Sequence, residues 1–432
     1  MSSDPPTTER AGVPHHSKRR VFAVVETFLG ALGRTPLQAA RAQGLHIAFV
    51  TRDMSRYAPN PQAREAFEAC VDDVIEADPH DSSAVVTALD QAYERGELCG
   101  IYTTIDHYVP VVAEAARALG LPGLDPAAAH MCRNKLKTRE VAEKAGVPVP
   151  GWAWVRTRDE AVAAAERFGL PCVVKPMTDA GSLDVKLCRT VEEVAAQYHT
   201  IASVPTDFFG GRRLPGALVE EYLIGYEVSV ESFTFRGERF LIGVTDKGLG
   251  SHPYFVETGD VFPSLLPRTV QKDLVDTAFA ALDAVGHDFG CAHVEVRMTD
   301  SGPKLIEINA RMPGGQITRL IRESTGFHLQ HEQVRMHSGQ EPDLTTRPLG
   351  SAVSRFLSAP RDGTVRAVHG LDLLRRIPGV VEVDLHVAPG DQVRVPENNV
   401  DLLGSIVVCG QDGGEALRRA DAAIGQIGIE FE

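Results

Sequence analysis

The sequence predicts an α/β protein of several domains, and three observations carry that reading. Short apolar runs alternate with helical stretches from residue 21 to about residue 123. A Gly-Pro stop at 146–150 opens a second compact unit. A hairpin over 290–309 alternates polar and apolar residues and gathers carboxylates on one face. A chain of 432 residues is also too long for one ordinary core, so two to four domains or subdomains are expected.

Taken in order, residues 1–20, MSSDPPTTERAGVPHHSKRR, are polar and Pro-rich and read as a disordered tail. The apolar stretch after them is interrupted by Glu26 and Arg34, which suits neither a signal peptide nor a membrane span. VFAVVE, HIAFVT, VDDVIEA and GIYTTI read as buried parallel strands. Helical spacing over 36–43, 61–69, 82–95 and 109–119 connects them, which implies a doubly wound sheet over 21–125. The turn Gly30-Ala-Leu-Gly-Arg34 lacks the third glycine of a dinucleotide fingerprint, so an ordinary Gly-rich turn is expected there. Residues 127–145 read as one helix, stopped by Gly146-Val-Pro-Val-Pro150. A second unit follows, with a helix over 158–168, a strand over 172–176, a Gly-containing loop over 178–183 and further strands near 184–188, 217–222 and 227–235. Arg236-Gly237 makes a tight hairpin turn. After residue 347 the chain restarts with the strand SAVSRFLSA and ends in a helix and a short apolar segment.

Composition narrows the function. Apolar residues are 43%, charged residues 24% and the formal net charge is -14, with Lys and Arg scattered rather than clustered. Nucleic acid as the main partner is thereby disfavoured, since a phosphate backbone demands a concentrated basic footprint. The seven cysteines are widely spaced without a CxxC, which suggests neither a disulfide framework nor a zinc site and fits a reducing cytosol.

The strongest chemical signal is His293-Val-Glu295-Val-Arg297, a TDSG turn, and Leu305-Ile-Glu307-Ile-Asn309-Ala-Arg311. A hairpin centred on Ser301 sets Glu295 opposite Glu307 and His293 opposite Asn309. Opposed side chains have Cβ atoms roughly 4.5–5.5 Å apart, so two carboxylates there destabilise the sheet unless a cation lies between them. Oxygen ligands from Glu295, Glu307 and Asn309 suit Mg²⁺. An exposed hairpin wearing ordinary charges would explain the alternation, but not the continuation into Arg311-Met-Pro-Gly-Gly315. Lys175 closes the apolar strand Cys172-Val-Val-Lys175-Pro176, a costly place for an ammonium group unless an anion awaits it. The small-residue loop Asp179-Ala-Gly181-Ser182 offers backbone N–H groups to phosphate. Leu218-Val-Glu220-Glu221-Tyr222-Leu223 and Gly225-Tyr-Glu227 have the shape of a carboxylate-rich hinge that would offer groups to a base and ribose, although standing alone they would read as a solvated hairpin edge.

In this order the strings NKLKTREVAEKAGVPVPG, PCVVKP, LVEEYLIGYEVSVE and LIEINARMPGG resemble the ATP-grasp superfamily, over about 123–315. Within it the chain looks most like the group of L-amino-acid ligases and carnosine-synthase-like enzymes. The resemblance implies an ATP-grasp fold with a pre-ATP-grasp domain at 21–125, an ATP-grasp domain at 126–345 with a lid at about 150–222, and a small α+β C-terminal domain like that of biotin carboxylase relatives at 346–432. It also implies ATP with Mg²⁺ or Mn²⁺, cytoplasmic location and small carboxylate and amine substrates, with a homodimer, a membrane-free life and no nucleic acid among the expectations. Lys135 and Lys175 would reach the ATP phosphates, under Gly181 and Ser182. Glu220 would meet the adenine amino group, the backbone of Glu221 and Leu223 the ring edge, and Glu227 the ribose. Glu295, Glu307 and Asn309 match magnesium ligands, Arg311 the arginine at the transferred phosphate, and His293 a substrate-side histidine. The segment from Thr245-Asp246-Lys247 to Pro263 resembles a substrate-facing loop. Asp184, just after Gly181-Ser182-Leu183, departs from the pattern, because a carboxylate near triphosphate must point away or meet a cation. The expected reaction joins a carboxylate to an amine through an acyl-phosphate, releasing ADP and phosphate. The alternatives are a bicarbonate-using carboxylase, for which no biotin-carrier segment is seen, and a nucleotide-binding regulator without catalysis.

Overall fold

Four short runs of β-branched and aromatic residues build the first sheet of the computed structural model, which describes residues 19–58, 60–250, 252–374 and 376–432. All but Arg19 and Arg20 of the expected N-terminal tail lie outside those residues. The sheet runs Asp73–Glu76, His46–Thr51, Val21–Val25, Leu98–Tyr102, all parallel. Parallel neighbours need crossovers, and the helices Gly30–Ala42, Pro61–Glu68 and Ser82–Ala92 supply them. Val21–Val25 is wholly buried at the centre, while Asp73–Glu76, expected as a buried strand, alternates half-buried and exposed because it is the edge. The expected Gly-rich turn at 30–34 is instead the start of the first helix. Gly33 is required there by packing: a β-carbon on it would lie 1.6 Å from the carbonyl oxygen of Phe28.

The expected single helix over 127–145 is two, Pro126–Arg133 and Lys135–Lys144. Asn134 breaks the run with φ -100° and ψ 102°, and its side chain accepts from Lys137 N as the cap of the second helix. The break makes Lys135 the first residue of a new helix whose N–H donates to Met177 O.

A four-stranded antiparallel sheet, in the order Trp152–Val155, Ala217–Glu221, Cys172–Lys175, Lys186–Cys188, occupies the segment expected as the lid. The large sheet has eight strands: Gly302–Asn309, Gly290–Thr299, Tyr226–Phe235, Glu238–Leu249, Glu257–Phe262, Ser351–Leu357, Gly404–Gly410 and Val380–Leu385. Strict alternation gives it two unlike faces. Val228, Val230, Val244, Val294, Val296 and Ile308 pack with Leu274, Ala278 and Leu282 of the helix Arg268–Ala284. Glu227, Glu231, Thr245, Lys247, His293 and Glu295 fall on the opposite face.

The C-terminal segment adds three strands to this sheet and also carries a three-stranded sheet and an apolar core around Leu374, Ile406, Val408 and Ala420. The region from Thr245 to Pro263, expected as a loop, is largely a β-pair in which Lys247 faces Asp260. Phe255 lines the main cavity, but Phe262 is buried in the core and Tyr254 donates to Glu397. Among the described residues no helix is long and apolar enough to cross a membrane.

The hairpin register comes from two opposing irregularities. Thr299 pairs with Gly302 and Val296 with Leu305, which centres the turn between Asp300 and Ser301. A bulge at Ile306 then shifts the register by one, so Glu295 does face Glu307 and His293 does face Asn309. Without the extra residue, Glu307 would exchange faces with its neighbour.

Gly225, between the lid and the large sheet, packs so closely on the hairpin that a β-carbon would lie 1.8 Å from Met298 O. Gly225→Ala is expected to cost about 1–3 kcal/mol of stability. Urea denaturation measures the loss, and an unchanged midpoint would show that the hinge tolerates the shift.

Candidate active site

At the hinge end, three buried charges interlock. Lys175 Nζ lies 2.6 Å from Glu220 Oε2, and Arg139 Nε donates to Glu220 Oε1 at 2.8 Å. Arg139 is 1% exposed, and its Nη2 also donates to the carbonyl of Ile306 at 2.7 Å. Burial alone would raise the Glu220 pKa, but Arg139 and Lys175 outweigh it and hold the carboxyl down at about 2. Glu227 faces Arg297 across the sheet and accepts from its Nη2 at 2.5 Å. Arg297 Nη1 donates to Leu223 O at 3.1 Å, so the hinge backbone and the expected ribose ligand share one guanidinium. The Glu221 side chain turns away to Gly151 N and Lys304.

Further along the cavity each opposed carboxylate has a lysine. Lys135 Nζ donates to Glu307 Oε1 and to Asp179 O, both at 2.8 Å. Lys247 Nζ lies 3.2 Å from Glu295 Oε1 and 2.9 Å from Glu257 Oε1. Burial opposes charge on Glu295, but Lys247 and His293 hold it well below the usual carboxylate range. His293 is buried with Nδ1 3.0 Å from Glu231 Oε2 and Nε2 3.3 Å from Glu295 Oε1. Burial disfavours its charge too, yet the Glu231 carboxylate raises its pKa to about 9. Both ring nitrogens are thus engaged within its own sheet. Asn309 lies opposite it.

Arg311 closes this end. Its Nη2 lies 2.6 Å from Asp106 Oδ2 of the first domain, and its Nη1 donates to Met312 O. The neighbouring His107 meets Asp207 at 3.3 Å. The awkward Asp184 does meet a cation: Arg213 Nη2 lies 2.7 Å from it and 2.6 Å from Asp179. The loop at 180–183 is folded down, with Gly181 O accepting from Asn399 N and Ser182 Oγ donating to Phe255 O.

Every site residue named from the sequence lines one cavity of about 530 Å³, within the roughly 300–1,000 Å³ usual for small-molecule sites. Sequence reasoning missed Arg139, Arg297, Asp106, Arg213 and Glu231. Arg139 resembles an ordinary helix-surface charge and carried no signal. Arg297 was legible, since it lies on the polar face of the same strand as His293 and Glu295.

The two sheets bring ammonium, guanidinium and carboxylate groups together on one cavity, an arrangement suited to a polyanionic substrate. Profiles of the ATP-grasp N-terminal domain, the ATP-grasp domain and the L-amino acid ligase C-terminal domain 2 match residues 37–123, 168–319 and 355–432. The uncharacterized protein y4rH of Sinorhizobium fredii is 30% identical over 381 residues, which are 87% of this chain and 76% of that protein. Carnosine synthase 1 of Gallus gallus is 29% identical over 358 residues, 77% of this chain but only 38% of the relative. The crystal structure of L-amino acid ligase from Bacillus licheniformis superposes with a TM-score of 0.79 at 21% identity, covering 96% of this chain and 99% of that one. The chain belongs to the ATP-grasp family of carbon–nitrogen ligases.

Glu220→Gln should leave Lys175 and Arg139 buried without their anion and cost about 3–5 kcal/mol. The native Glu220 pKa is depressed from 4.5 to about 2, so its contribution is fully present above about 4.5 and is lost as pH falls toward 2. The stability difference between wild type and variant in urea titrations should therefore shrink across that window. A constant difference would remove Glu220 ionisation as its source.

Proposed function

We propose that the chain phosphorylates a small carboxylate with ATP and joins the acyl group to an amine, giving an amide, ADP and phosphate. The observation that supports this most is the opposed Glu295–Glu307 pair leading within a few residues to Arg311. An orphaned donor on the lining fits a polyanionic guest: Arg311 Nε is buried without a partner among the described residues. The donor set also fits a hard cation. The lysine and histidine contacts of Glu295 and Glu307 fall on their Oε1 atoms, so each keeps a second oxygen for a metal, with Asn309 beside them. Bound Mg²⁺ would neutralise charge on the transferring phosphoryl group.

The residues then have these roles. Leu223, Glu220 and Glu227 hold base and ribose at the hinge. Lys175 and Lys135 meet phosphate oxygens, with Gly181 and Ser182 above them. Arg311, oriented by Asp106, steadies the γ-phosphoryl group as the carboxylate oxygen attacks its phosphorus and ADP leaves. The folded-down loop keeps water from the acyl-phosphate. The amine nitrogen attacks the acyl carbon, phosphate departs with the former carboxylate oxygen, and the nitrogen gives up a proton. The charge developing on the acyl oxygen is stabilised from Arg311 and the Gly314-Gly315 turn. Relatives named carnosine synthase and L-amino acid ligase support amino acids as substrates.

Two measurements test the reading. ADP and phosphate should appear in equal amounts with amide product, and stoichiometric AMP would sink the mechanism. Arg311→Lys should lower kcat by roughly 10²–10³, and Glu307→Gln by more than the roughly 10–100-fold typical of groups that only support ligands. Full turnover by Glu307→Gln, with lowered thermal stability, would make the hairpin structural.

A further inference from the structure

We propose that the acid activated in this cavity carries a bulky apolar side chain, selected by a wall of Phe208, Phe209 and Phe356. The inference rests on the ligase reading above and names the class of one of its substrates.

Both halves of the wall are tied to the phosphoryl-transfer end. On one side Arg311 pairs with Asp106, and the next residue, His107, packs at a tilt against Phe209 with ring centroids 4.6 Å apart. Phe208 packs edge-on against Phe209 at 5.2 Å. On the other side the turn after Arg311 passes through Gly315, where a β-carbon would meet Phe356 Cζ at 3.3 Å. A carboxylate placed against Arg311 therefore has its own side chain between these rings. Phe255, near Arg297 at the hinge, belongs to the other end of the cavity.

Exposure points the same way. Leu29, Phe208 and Val400 are 54%, 50% and 53% exposed, come from three separate segments, and all lie on the lining of this cavity. Large apolar groups converging on one rim mark a place where an apolar group is received. Of the polar groups nearby, Asp106 is held by Arg311, His107 lies 3.3 Å from Asp207, and His386 on the C-terminal rim lies 3.7 Å from Asp384, while the Arg56 guanidinium lies over the Phe209 ring at 5.9 Å. A charged side chain set between these rings would lose water to phenyl groups that cannot replace it.

The test gives the full chain ATP, Mg²⁺ and pairs of amino acids, follows phosphate release, and sequences each dipeptide product by mass spectrometry. The N-terminal residue of a product is the acid that was activated. Phenylalanine or leucine is expected there, with kcat/KM about 10-fold or more above alanine and aspartate. Phe208 is half exposed, so Phe208→Ser folds, and it should bring phenylalanine close to alanine. Products that begin with small or charged residues, or a ranking untouched by Phe208→Ser, overturn this inference while leaving the ligase reading standing. Phosphate release with no pair overturns the amino-acid ligase reading, and this inference falls with it.

Discussion

Two carboxylates held opposite one another on a sheet are the constraint on which the rest of this structure depends. Glu295 and Glu307 are there because one residue, Ile306, bulges out of the hairpin and returns Glu307 to the polar face. A bulge leaves a backbone carbonyl without its ladder partner, and Arg139 supplies the missing donor. The same guanidinium holds Glu220, the anion of the hinge. One buried arginine thus ties the register of the hairpin to the strand that carries Glu220, whose carboxylate also holds Lys175 of the neighbouring strand. Like charges so placed repel, and the fold answers with cations from different elements. Lys135 comes from the helix that Asn134 starts, and Lys247 from the strand two places across the sheet.

The same economy extends across the domains. Asp106, at the C-terminal edge of the first sheet, holds Arg311, and His107 beside it meets Asp207 from the lid segment. Arg213 gathers Asp179 and Asp184, so the folded-down loop is held by one buried ion pair and one half-buried one. Charges so desolvated interact far more strongly than surface pairs, but only while every partner is in place. The loop is therefore coupled to the first domain through His107 and to the C-terminal segment through Asn399.

Much of this was legible in the residues. Strand alternation placed Glu227, His293, Glu295, Glu307 and Asn309 on one face because period two has a single consequence for a sheet packed on one side. The Arg236-Gly237 turn was legible for a similar reason, since both residues adopt positive φ and the two strands meet directly around them. What failed was long-range pairing. No local pattern distinguishes Arg139 from a solvated helix charge, because its burial is decided by the lid strand and the hairpin. The Asn134 break was hidden by helix formers on both sides, and a capping side chain decided it. Register and the family resemblance carried the reading of His293, and neither could show its contact with Glu231, a residue sixty-two positions earlier in the chain.

The proposed reaction also has to place a triphosphate in a protein of net charge -14. The cavity resolves this by exchange of partners. Lys135 and Lys247 are the counter-ions of Glu307 and Glu295, so neither carboxylate of the pair is buried bare. A divalent cation held by the free oxygens of the two carboxylates would weaken the hold of Glu307 on Lys135, whose ammonium group would then be available to a phosphate oxygen. Lys247 is less free to follow, because Glu257 also holds it and its pKa is raised by that pair despite its burial. The two lysines are therefore unequal: on the proposed reaction Lys135 would exchange partners with the nucleotide, while Lys247 is held by both Glu257 and Glu295. Binding and neutralisation become one event, which is how an acidic protein can hold a polyanion without a basic surface.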